Sequence, residues 1–63
     1  MPRALVVDDH EPTLAALTKL VDGEGYITAR ATSLEDARLQ LGESRFDVVL
    51  VDLNLPDGSG MSL

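Results

Sequence analysis

The sequence predicts an α/β fold: half of a doubly wound parallel sheet, in the order strand, helix, strand, helix, strand. Three observations carry this. The continuous apolar runs Ala4-Leu5-Val6-Val7 and Val48-Val49-Leu50-Val51 each end in acid, at Asp8-Asp9 and at Asp52, the pattern of strands covered on both faces. Between them lie two stretches with helical periodicity and one short alternating segment. Both helical stretches are long enough for right-handed crossovers between parallel strands. The apolar strands should be neighbours, with the alternating strand outside the first, giving the spatial order second, first, third.

The first strand is placed at residues 3–8 and the first helix at residues 11–22. Pro12 falls in the opening turn, where a missing N–H costs nothing. Leu14, Leu17 and Val21 recur at helical spacing, with Ala15, Ala16 and Leu20 widening the stripe. Gly23 and Gly25 stop the helix and turn the chain. Residues 26–31 then alternate, with Ile27, Ala29 and Ala31 on one face, as in a less enclosed strand at a sheet edge. Thr32-Ser33-Leu34-Glu35-Asp36 has the pattern of a capping box for a second helix at 33–42, which turns Leu34, Ala37 and Leu41 inward and ends at Gly42. The third strand is placed at 47–52, followed by a loop shaped by Pro56 and Gly58 and by the start of a third helix at Ser59. All 63 residues form one domain in this reading.

With 44% hydrophobic residues, one Tyr, one Phe and no Trp, the core must be built from Leu, Val and Ala. A chain this short buries only about 60% of the surface its unfolded form exposes, so marginal stability is expected. Without Cys it has neither a disulfide framework nor a thiolate metal site, which fits a cytoplasmic setting. A net charge of −6, with only five scattered Lys and Arg, argues against nucleic-acid binding by phosphate neutralisation. The expected partners are cations, basic surfaces or other proteins. The N-terminal residues carry no signal-sequence pattern and no segment approaches membrane-spanning length.

In a parallel sheet Asp8, Asp9 and Asp52 share the carboxyl edge, and adjacent strands lie about 4.8 Å apart. Two carboxylates at about 5 Å repel by about 3 kcal/mol at an effective dielectric of about 20. A small hard cation with oxygen ligands relieves this, and Mg²⁺ commonly takes one or two carboxylates while leaving positions for water and phosphate oxygens. Strand ends of open α/β sheets are also where such folds bind ligands. The competing reading is three ordinary strand-terminating acids facing water.

Two motifs, Leu5-Val6-Val7-Asp8-Asp9-His10-Glu11 and Val49-Leu50-Val51-Asp52-Leu53-Asn54-Leu55-Pro56-Asp57-Gly58-Ser59-Gly60, give the chain a family resemblance. It resembles the N-terminal half of a bacterial two-component response-regulator receiver domain, of truncated flavodoxin-like fold, over essentially its whole length. The resemblance implies that Asp52 is the phosphoacceptor, taking a phosphoryl group from a phosphohistidine of a sensor histidine kinase. It implies Mg²⁺ held by Asp8, Asp9, Asp52 and the backbone carbonyl of Asn54. Family members catalyse their own phosphoryl transfer and dephosphorylation, and the chain is not expected to be an enzyme in any wider sense.

Other residues carry less. His10 reads as a solvated loop residue and Lys19 as a solvated helix charge. Asp52-Leu53-Asn54 with Asp57-Gly58 has the outline of a calcium loop, but Pro56 displaces the acid expected before the Gly and Leu63 stands where Glu is required. Gly58-Ser59-Gly60 lacks the Lys-Ser/Thr of a nucleotide-phosphate loop.

Receiver domains continue for two more strands and three helices. Their hydroxyl residue after the fourth strand and their Lys after the fifth have no counterpart in this sequence. The third strand is then expected to be uncovered, with apolar faces and an unpaired edge, and the chain to self-associate as a dimer. The alternative to a phosphoacceptor module is a truncated, non-signalling fragment that mainly dimerises through this strand.

Overall fold

The computed structural model describes residues 1–52 of the chain. Strands and helices alternate through them: β1 (Arg3–Val7), α1 (Glu11–Gly23), β2 (Ile27–Ala31), α2 (Leu34–Glu43) and β3 (Val48–Val51). The strands form one sheet in the order β2-β1-β3, with both pairings parallel. This is the expected strand order. Each strand is slightly shorter than the span the sequence predicts. Asn54, the Pro56–Gly58 turn and the helix start at Ser59 lie outside the described residues.

Local chemistry sets the element ends. Ser33 is the N-cap of α2, its hydroxyl accepting from the Asp36 N–H at 3.1 Å, so the capping residue stands just outside the helix. After α1, the N–H groups of Glu24 and Gly25 return to the carbonyls of Val21 and Asp22. Gly25 then takes φ +92°, a conformation that only a residue without Cβ adopts at no cost. The entry to β3 is closed by a reciprocal pair: Asp47 N–H donates to the Arg3 carbonyl at 2.8 Å, and Arg3 N–H donates to Asp47 Oδ2 at 2.8 Å.

Residues 4–7 of β1 are buried on both faces. Alternation sends Leu5 and Val7 to one side, where they join Ala31, Leu34 and Ala37 in the core cluster, with Ala29, Phe46 and Val51 packed against it. Ala4 and Val6 turn to the other face, where α1 contributes the buried Leu14. Leu17 and Val21 of the predicted stripe are half-buried, but Ala15, Ala16 and Leu20 are exposed. The inward stripe of α1 is thus narrower than its composition indicates, because one helix over three short strands meets apolar surface along a single line. Leu41 and Ile27, expected inward, are also exposed. Both lie where the sheet offers nothing to cover them: Ile27 on the edge strand, and Leu41 in the last turns of α2.

Leu5 sits at the centre of the main cluster with no exposed surface. Leu5→Ala should cost about 2–5 kcal/mol. For so small a domain the expected outcome in a urea titration followed by circular dichroism is the loss of any folded baseline.

Candidate functional site

The carboxyl edge of the sheet is built by backbone pairing. Val7 is in register with Ala31 on one side and Val51 on the other. One residue further along, Asp8 N–H donates to the Ala31 carbonyl at 3.0 Å and Asp52 N–H to the Val7 carbonyl at 2.9 Å. Both acids therefore leave from positions still held by the sheet. Their side chains share the face opposite Leu5 and Val7, since side-chain direction alternates along each strand.

The structure brings the predicted acids together. One carboxylate oxygen each from Asp8, Asp9 and Asp52 lies within 4.8 Å of the others. Asp8 is buried, Asp52 half-buried and Asp9 exposed. The cluster thus has an anchored inner side and a side open to water. On the α1 side an open hollow lined by Val7, Asp8, Leu17, Leu50, Val51 and Asp52 adjoins it. Asn54, the predicted carbonyl donor, lies outside the described residues.

A feature the sequence reading missed is how Asp8 is held. Its Oδ1 accepts the backbone N–H of His10 at 2.9 Å, an Asx-type turn whose only sequence signal is an Asp two residues before a helix cap. His10 itself is not a bare loop residue: it is the N-cap position of α1, and its Nδ1 lies 2.6 Å from Thr13 Oγ1.

The donor set fits a small hard cation. Three carboxylates within reach of one point offer only oxygen, and the exposed Asp9 leaves room for further oxygen ligands. Fold and site together define an α/β domain with an acidic cluster at the carboxyl ends of its parallel strands, the edge at which open sheets of this kind bind ligands.

The chain belongs to the response regulator receiver domain family, which matches residues 4–63. It is 44% identical over 61 residues to the virulence sensor protein BvgS of Bordetella pertussis, covering 97% of this chain and 5% of that protein. It is 40% identical over 62 residues to the response regulator protein PilR of Pseudomonas aeruginosa, covering 97% of this chain and 14% of PilR. The non-phosphorylated HemR receiver domain from Leptospira biflexa superposes with a TM-score of 0.88 at 32% identity, over 98% of this chain and 50% of that one. The chain therefore spans half of a solved receiver domain and a small part of these curated relatives. Among the described residues, no helix is long and apolar enough to cross a membrane.

If the three acids repel as their spacing implies, neutralising one stabilises the metal-free chain. Asp9→Asn should raise the thermal midpoint in EDTA at low ionic strength, a gain of about 0.5 kcal/mol. The gain should shrink as salt is added, and an unchanged or lowered midpoint in both buffers would count against mutual repulsion.

Proposed function

We propose that the chain is a phosphoacceptor module of two-component signalling in which Asp52 receives a phosphoryl group from a sensor histidine kinase. The observation that carries this is the meeting of Asp8, Asp9 and Asp52 at one sheet edge in a chain of the receiver family. The HemR receiver domain of Leptospira biflexa, similar in fold and sequence, is a non-phosphorylated form of that domain, which supports a phosphoacceptor reading. The relatives include both a virulence sensor protein and a response regulator protein.

In this reading a carboxylate oxygen of Asp52 forms the new P–O bond while the P–N bond of the donor phosphohistidine breaks and its imidazole leaves. Asp8, Asp9 and Asp52 would hold Mg²⁺ there, with the carbonyl of Asn54, which lies outside the described residues, as a further ligand. When bound, Mg²⁺ supplies the positive charge that lets an anionic nucleophile approach an anionic phosphoryl group. The backbone N–H of the half-buried Asp52 on the Val7 carbonyl fixes the point from which its carboxylate leaves the sheet. Burial of Asp8 fixes the floor of the site, and the exposed Asp9 stands on the side from which a donor enters.

Incubation with a small phosphodonor and Mg²⁺, followed by intact-mass measurement, should give a single phosphate adduct that Asp52→Asn abolishes. No adduct under any condition would refute the reading.

A second reading, association of the chain with a second copy through β3, is favoured by the unequal edges of the sheet. On the outer side of β2, Gln40 Nε2 donates to the Arg30 carbonyl at 2.7 Å, and Arg30 itself places a charge on that strand. β3 is four uncharged residues, pairs with β1 alone among the described strands, and leaves Val49 and Leu50 37% and 38% exposed. An edge of that kind is a template for a further strand. Light scattering at micromolar concentration should give the mass of a dimer for the 63-residue chain, and a folded monomer would sink this reading.

A further inference from the structure

One contact at the corner belongs neither to the three carboxylates nor to the sheet. His10 occupies the N-cap of α1, yet its side chain makes no capping hydrogen bond. Its ring turns instead to Thr13, with Nδ1 2.6 Å from Oγ1. The backbone of the same residue is engaged at both ends. Its carbonyl accepts from the N–H of the buried Leu14 at 2.9 Å, and its N–H donates to Asp8 Oδ1 at 2.9 Å.

We infer that Thr13 is a positioning residue for the acidic corner, acting through His10 on Asp8. Holding the ring of His10 removes a rotor at the point where the chain turns from Asp9 into α1. Tied to Thr13 through the ring and to the Leu14 N–H through its carbonyl, residue 10 has less backbone freedom, which keeps its N–H on Asp8 Oδ1 and the carboxylate in one orientation. A ligand whose orientation is already fixed loses less side-chain freedom when a cation arrives, the role played elsewhere by groups that orient metal ligands without touching the metal. Neither His10 nor Thr13 is buried, so the bond between them adds little to global stability. Its effect on the corner can therefore be separated from an effect on the fold.

The inference rests on the proposal that the corner holds Mg²⁺, and the experiment separates the two. Mg²⁺ affinity is measured by titration calorimetry for the unaltered chain, Thr13→Val and Thr13→Ser, alongside thermal unfolding without metal. In parallel, the exchange rate of the His10 amide proton is measured by NMR in the metal-free chain. Thr13→Val, which keeps the shape and removes the hydroxyl, should weaken Mg²⁺ binding by about two- to fivefold, the scale set by the rotamer freedom that one carboxylate regains. It should also speed exchange at His10 and leave the unfolding midpoint in place, while Thr13→Ser restores both readouts. Unchanged His10 exchange in Thr13→Val overturns the inference whatever the metal does, as does an unchanged affinity where the unaltered chain binds. If the unaltered chain binds no Mg²⁺ while exchange at His10 still responds, the positioning role stands and the Mg²⁺ reading fails.

Discussion

The backbone of Val7 is paired on both sides, to Ala31 in β2 and Val51 in β3, and the geometry of the corner follows from that double pairing. Asp8 and Asp52 are each the next residue beyond a strand paired at Val7, so register alone puts their carboxylates side by side. A slip of one residue in β3 would flip its side chains to the opposite face. Asp52 would then leave the α1 side, and Leu50 and Val48 would exchange places with Val49 and Val51. The register is protected by apolar patterning: Leu5 and Val7 face the cluster closed by Leu34 and Ala37, and Val51 packs against it. Core packing and site geometry are thus one constraint seen from two ends of the same strands.

The sequence made the strands and their order legible because two signals were strong there. Continuous apolar runs ending in acid mark strands covered on both faces, and crossover handedness leaves few ways to arrange three parallel strands joined by helices. The acids of the corner could be named for the same reason, since strand ends in a parallel sheet share an edge. Depth of burial was less legible. Leu20, Leu41 and Ile27 are as apolar as Leu14 or Leu34, but whether an apolar residue is covered depends on the width of the sheet beneath it, which helical or strand periodicity does not encode. The turn at Asp8 was illegible because a backbone N–H, available at every residue but Pro, makes its key bond. The His10–Thr13 contact depends on a ring rotamer, and a three-residue spacing alone does not announce it.

The corner also constrains how copies of the chain could meet. Pairing of β3 with its copy can run antiparallel, as a closed two-fold requires, or parallel with the two strands offset by one residue. A parallel pair would bring two sets of Asp8, Asp9 and Asp52 to the same edge of a joint sheet, adding repulsion between chains that each carry a net charge of −6. An antiparallel pair sends the two corners to opposite ends, separated by the length of the strand, about 13 Å for four residues at about 3.3 Å each. That distance exceeds the screening length of about 8 Å at physiological ionic strength, so each corner would be electrostatically almost independent of the other. Antiparallel association would therefore leave both acid clusters free to take a cation, whereas parallel association would make cation binding a condition of pairing. The carboxylates that define the site thus also select the geometry in which the apolar edge of β3 can be covered without disabling it.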